Sequence, residues 1–228
     1  MKSIAFFIIF LLSTSIFAKN NFNEFFNPNG WEEVYTKDGI TVYSQKSKHS
    51  SIVGFKAEAV LVAPLENILA TLRDVEGTIN WAPNITEKST IKEFSDLKAI
   101  TYTNNDLPWP AADRDMVQMN ELRLDEENKY LVVDTYSIKD DVYPFAEDTV
   151  RANVTFGTLQ FRRKGAHSSV LMTLLVDPKG SLPIWLVNML QKRLPYQFLI
   201  ALEKEAVKSK VPLRAGIKKL LDKLDSLE

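Results

Sequence analysis

At 228 residues the chain is long enough for one sizeable domain with its own core and short for two. Hydrophobic residues at 45% and charged residues at 25% are ordinary globular usage, and a net charge of −1 excludes the basic face that nucleic-acid binding requires. The absence of cysteine excludes disulfides and thiolate chemistry.

In chain order, residues 1–18 (MKSIAFFIIFLLSTSIFA) read as a secretory signal rather than as part of the fold. Lys2 is the positive start, Ile4–Leu12 the apolar run, and Ser13–Ala18 the small-residue stretch, with cleavage expected after Ala18. The run is shorter than the roughly twenty apolar residues of a membrane span, although an uncleaved anchor is the alternative. No cysteine follows it for lipid attachment. A small apolar signal on a cysteine-free chain looks bacterial and points to a periplasmic or secreted protein.

Residues 19–36 read as a polar lead and a short helix, ended by the turn signal Lys37–Asp38–Gly39. Two strands follow, ITVYSQK and SIVGFKAEAVLV, the second with Phe55, Ala57, Ala59 and Leu61 on one face. Pro64 opens a helical stretch whose apolar positions 65, 68, 69, 72, 75 and 79 recur at helical spacing. From there to residue 177 the period is mostly two. Six segments, beginning at Ile85, Lys98, Arg114, Lys129, Thr149 and Ser168, predict an antiparallel meander. Within it, Thr101 and Thr103 share one strand face, as do Met116, Gln118 and Asn120, and both faces are expected to look inward.

DPKGSLP breaks the pattern, with Ser181 as a possible cap, and a long helix begins near Pro183; Pro195 should kink or split it. A last segment puts Leu213, Ile217, Leu220 and Leu224 on one stripe of a short amphipathic helix with a mixed, not basic, polar face. The organisation expected is a signal (1–18), one domain (19–210) and a C-terminal amphipathic helix (211–228). The fold class is α+β: a curved antiparallel sheet around the long helix, with a gap between them that makes a ligand cavity.

Catalytic patterns are missing. His49 and His167 have no metal-ligand spacing, and there is no nucleophile elbow, dinucleotide fingerprint or phosphate loop. The acid pairs Asp113/Asp115 and Asp140/Asp141 read as salt bridges or turn caps, and the RRK run at 162–164 as a solvated turn. Arg151 in TVRAN shares a face with Asn153 and Thr155; turned inward it could receive a ligand's carboxylate by a bidentate contact, turned outward it is a surface or salt-bridged charge.

Four segments carry a family resemblance: WAPNITE at 81–87, LPWPAADRDMV at 107–117, VRA at 150–152 and DPKGSLPIWLVN at 177–188. In order and spacing they resemble START domains, the lipid-transfer domains related to the steroidogenic acute regulatory protein. The resemblance implies a helix-grip fold. It also implies non-enzymatic, non-covalent carriage of a lipid or similar apolar molecule, with no cofactor and no metal. The cavity residues it implies are Thr101, Thr103, Met116, Gln118, Asn120, Arg151, Trp185 and Met189. Leu107 and Trp109, in a loop stiffened by Pro108 and Pro110, would form the lid or entrance and touch a bilayer transiently, Trp109 otherwise being a core residue under Trp185. At the positions where sterol-binding members set an acidic residue and an arginine, this chain has Thr103 and Asn120, which puts specific sterol binding in doubt. The protein is expected to act as a monomer. The competing expectations are a cyclase or hydrolase using the same cavity, and an envelope interaction module whose cavity is filled.

Overall fold

The computed structural model describes residues 28–46, 53–138 and 142–227; the expected signal (1–18), His49 and the Asp140/Asp141 pair lie outside them. Ten strands form one sheet: β1 (Glu32–Lys37), β2 (Ile40–Lys46), β3 (Val53–Leu61), β4 (Ile85–Ser95), β5 (Lys98–Asn105), β6 (Asp113–Asp125), β7 (Tyr130–Ser137), β8 (Thr149–Arg151), β9 (Asn153–Lys164) and β10 (His167–Asp177). Among the described residues three α-helices accompany them: α1 (Leu65–Arg73), α2 (Ile184–Lys208) and α3 (Ala215–Asp225).

The strand order is β1-β2-β3-β10-β9-β7-β6-β5-β4, with every neighbour on this path antiparallel. The six-strand meander is therefore present, with one refinement. TVRAN does not run straight into its strand: β8 leaves β9 and pairs parallel with the start of β6, Arg151 opposite Asp115. Register shifts in β4, and between Leu175 and Val176 of β10, are bulges that bend the sheet and make one face concave.

The first element departs from expectation. Glu32–Lys37 is a strand, not the end of a helix. Asp38 and Gly39 both take positive φ, 50° and 74°, the pattern of a two-residue hairpin turn, and Lys37 pairs with Ile40 across it. A hairpin turn of that kind requires a strand on both sides.

Helix α2 lies across the concave face. Leu199, Leu202 and Ala206 are fully buried against Ile40, Val42, Ala57, Ala59 and Leu61 of β2 and β3. The alanines of β3 let the helix backbone approach the sheet. Polar ties fix it lengthwise: Tyr35 donates to the Lys192 carbonyl (2.7 Å), and Glu203 accepts from the Val62 N–H (2.7 Å). Pro195 sits inside a helix that stays continuous, and no side chain caps its start, so Ser181 does not act as the N-cap.

Helix α3 docks onto the same core through Ile217, Leu221 and Leu224, with Leu213 and Leu220 partly buried beside them. Its buried stripe is thus one position off at Leu221. Arg163 holds it from the sheet, bonding Glu66 of α1 (2.6 Å) and Asp225 of α3 (2.6 Å). The RRK run is accordingly not a simple solvated turn. The guanidinium keeps the Glu66 carboxyl below the usual carboxylate range.

A second, smaller core covers the convex face. Ile100, Tyr102 and Val117 are buried there under Ile138 and Tyr143, and the Tyr102 and Tyr143 rings stack with centroids 4.5 Å apart. Met119 packs with them. Val117 and Met119 therefore point away from α2, and their strand neighbours point toward it.

Candidate ligand cavity

Between the concave face and α2 lies a cavity of about 300 Å³, at the small end of the range of about 300–1,000 Å³ typical of ligand pockets. Its apolar wall comes from Phe55, Leu159, Met172 and Leu174 of the sheet, Leu69 and Leu72 of α1, Leu194 and Phe198 of α2, and Ile217 of α3. Trp81 packs on Phe198 behind it, ring centroids 5.6 Å apart.

A band of polar side chains crosses the sheet side. Thr101, Thr103, Met116, Gln118 and Asn120 all line the cavity, as their alternation requires. The polar members bond one another: Asn120 donates to Thr101 Oγ1 (2.9 Å) and accepts from the Thr135 hydroxyl (2.9 Å), while the Thr103 hydroxyl points at Gln118 Oε1 at 3.5 Å. Thr103 and Asn120 are thus held in a neutral network.

Three of the residues implied by the resemblance are elsewhere. Arg151 is not in the cavity; it forms a bidentate pair with Asp115 at 2.9 and 2.8 Å on the convex side, with side-chain exposures of 6% and 0%. Its third tie is to the Pro144 carbonyl (2.9 Å), and the Phe145 ring lies against its guanidinium. The cause is β8: set parallel beside β6, Arg151 is aligned with Asp115, whose side chain points opposite to Met116. Trp185 and Met189 also do not line the cavity, and Trp185 is 51% exposed. At about 100° per residue, Met189 lies roughly half a turn round α2 from Phe198, and Trp185 is similarly displaced.

The loop between β5 and β6 separates its two named residues. Trp109 is 88% exposed, which rules out a core role, whereas Leu107 is buried and not part of the tip. Asp113 accepts the Leu107 N–H (3.1 Å), and the Ala111 N–H bonds the Pro108 carbonyl (3.2 Å) around a cis Trp109–Pro110 bond. Arg114, itself buried, donates to the carbonyls of Ala112 (2.5 Å), Pro178 (2.7 Å) and Lys179 (3.1 Å), so it ties this loop to the segment leading into α2. Within the acid pair, then, Asp113 is a turn cap and Asp115 a salt-bridge partner.

Among the lining residues that sequence reasoning did not name is one cation without a bonded partner. Lys88 of β4 stands opposite Thr103 in the sheet and faces the cavity. It makes no ion pair or hydrogen bond, and burial pushes its ammonium down to about 8, against a partial opposing pull from Glu76. The other charged lining residues are engaged. Arg73 bonds Glu93 (2.6 Å), Lys98 bonds Glu121 (2.7 Å), and Asp96 accepts the Gly216 N–H (2.7 Å). The signal that could have found Lys88 is its cross-strand position beside an inward-facing threonine; bulges in β4 hide it from simple alternation.

Among the described residues no group of three or more His, Asp or Glu side chains could hold a metal ion, and no helix is long and apolar enough to cross a membrane.

A bent antiparallel sheet gripping one long helix over a cavity defines a helix-grip, α+β domain. The START-domain family profile matches residues 26–200, and the chain belongs to that family. It is 31% identical over 166 residues to START domain-containing protein 10 of Mus musculus, covering 70% of this chain and 55% of that protein. The chain thus spans about half the length of this relative. It is 26% identical over 163 residues to the phosphatidylcholine transfer protein of Mus musculus, covering 69% of this chain and 75% of the other. Among solved structures, human STARD10 superposes with a TM-score of 0.70 at 24% identity, over 86% of this chain and 78% of that one. The STAR-related lipid transfer protein fragment of Xanthomonas axonopodis gives 0.68 at 25% identity, over 78% and 98%.

Proposed function

We propose that this protein binds a lipid or similar apolar molecule in the cavity under α2 and transfers it between membranes, without chemical change. The observation that carries this is the cavity itself: an apolar chamber between sheet and helix whose polar band is already hydrogen-bonded internally. Such a wall holds a ligand mainly by apolar area, at about 25 cal/mol per Å² removed from water. Relatives named as lipid-transfer proteins support the same use.

The finer proposals follow from the sequence and the loop geometry. The signal-like start directs the chain to the periplasm, where it works as a monomer. The 105–113 loop that carries Trp109, together with the long C-terminal helix α2, forms the gate. An exposed tryptophan held on a stiff loop suits brief contact with a bilayer interface. The test is mass spectrometry of organic extracts from protein purified out of its own periplasm. One bound species at near-stoichiometric yield is the expected result, and empty protein under conditions that retain lipids on a known carrier overturns it.

An enzyme built on this cavity would need a reactive group, and Lys88 is the one lining residue whose titration burial has moved strongly. Its polar neighbours Thr103 and Gln118 face each other, and no described acid or base bonds the amine. A chemically altered product released from added lipid would favour the enzyme; recovery of the lipid unchanged favours the carrier.

A further inference from the structure

A cavity for purely neutral lipids has no use for a cation. Lys88 nevertheless lines it, half-buried, and among the described lining residues it is the one cation that lacks an ion pair. Burying an unpaired ammonium is costly unless a counter-charge arrives. No side chain bonds it, and Glu76 offsets its charge only in part, through space. Arg73 is taken up by Glu93, Lys98 by Glu121, and Asp96 by the Gly216 N–H, while Glu76 accepts the Thr90 N–H.

The position of Lys88 is also that of a head-group site. It pairs with Thr103, which in turn pairs with Met116, so it stands beside the polar band. Asn105, one inward position along β5, is the last strand residue before the Trp109 loop. A ligand with its charged end at Lys88 would therefore have that end near the loop and its chain along Leu159, Met172 and Phe198. The volume, about 300 Å³, is small for a ligand pocket and fits one acyl chain better than two.

We propose that Lys88 receives the anionic head of a single-chain amphiphile, a carboxylate or a phosphate, which supplies the missing counter-charge in the loaded protein. This rests on the carrier reading above and narrows it.

The test measures binding of palmitate, hexadecyl phosphate and hexadecanol below their aggregation concentrations, by equilibrium dialysis with labelled ligand. These share a chain and differ in the head. At pH 7 the full chain without its signal should bind at least one of the two anions about ten- to a hundredfold more tightly than the alcohol. Which anion wins distinguishes a fatty acid from a phosphate head. Lys88→Met should remove that preference, and Lys88→Arg should restore most of it. The preference should also fall as pH rises through about 8, where the free ammonium loses its proton. Arg73, Asp96, Lys98 and Glu121 line the same space and Glu76 acts on Lys88 through space, so Lys88→Met is the reference that isolates the Lys88 contribution at each pH. Equal affinity for all three ligands, or a preference that survives in Lys88→Met, overturns the proposal and leaves the carrier reading standing. Binding of none, with empty extracts from the native protein, overturns both.

Discussion

Lys88 sets the sign of a pH dependence at the scale of a single residue. Its ordinary value of 10.5 is moved to about 8 on folding, so the unfolded chain holds the proton more tightly across that window. Stability therefore carries the full penalty below pH 8, of order 3 kcal/mol, and recovers as pH rises toward the unfolded value. Lys88→Met should be more stable than the wild type in urea at pH 7, and the gap between them should close by about pH 10. The convex side holds the opposite case. Asp115→Ala would strand a buried Arg151 and should cost about 3–5 kcal/mol, whereas Asp115→Ala with Arg151→Met should lose less; thermal melts of the three proteins decide it. For Trp109, 88% exposed, alanine should leave the melting temperature nearly unchanged and slow lipid exchange between vesicles by more than it weakens equilibrium binding. Equal losses of rate and affinity would make it part of the wall. The inward polar positions were legible in the sequence because a strand's period of two leaves only two choices of face, and the family resemblance, which sets Thr103 and Asn120 in the cavity, picks one. Arg151 was not legible, because its face is set by a parallel partner far away in the chain. Lys88 was hidden by bulges, and Trp185 and Met189 by the unknown rotation of α2.

Among the elements, α3 illustrates what an amphipathic stripe can and cannot say. Its existence follows from the spacing of Leu213, Ile217, Leu220 and Leu224, but four apolar residues leave open what covers them. The structure answers with α1, β6 and β7 of the same domain, and Ile217 even reaches the cavity. Leu224→Ala, at a fully buried position, should cost about 2–5 kcal/mol, and removal of residues 212–228 more than that single change. A truncated protein as stable as the parent would show that α3 is an independent module. Arg163→Ala should loosen α3 by removing its tie to Glu66 and Asp225, seen as faster hydrogen exchange in α3 with β10 unaffected. The meander and α2 were readable from periodicity and from Pro183. The strand β1 was misread because its short run carries little pattern of its own; its pairing is dictated by the Asp38–Gly39 turn that follows.

Over the whole molecule, a ligand that binds only the folded chain must raise its stability by mass action. Palmitate or hexadecyl phosphate at about a hundred times its Kd should add about 2.7 kcal/mol, read as a concentration-dependent rise in melting temperature that hexadecanol reproduces only at higher concentration. The order of the strands has a further consequence. Strand β3 finds its second partner in β10, Val53 opposite Val176 and Leu61 opposite Ser168, with the whole meander lying between them in the chain. Closing so long a loop adds entropy cost only slowly with length, but contacts this distant in sequence form late and slow the folding rate. The first three strands therefore remain a separate hairpin ribbon until residue 177 is available, and α2, which packs on β2 and β3, has no seat before that. A chain that cannot complete its sheet until nearly all of it has emerged closes its core late in synthesis. That delay would suit the export proposed from the signal-like start. Refolding followed in parallel at β3 and at β6 should accordingly show β6 protected first.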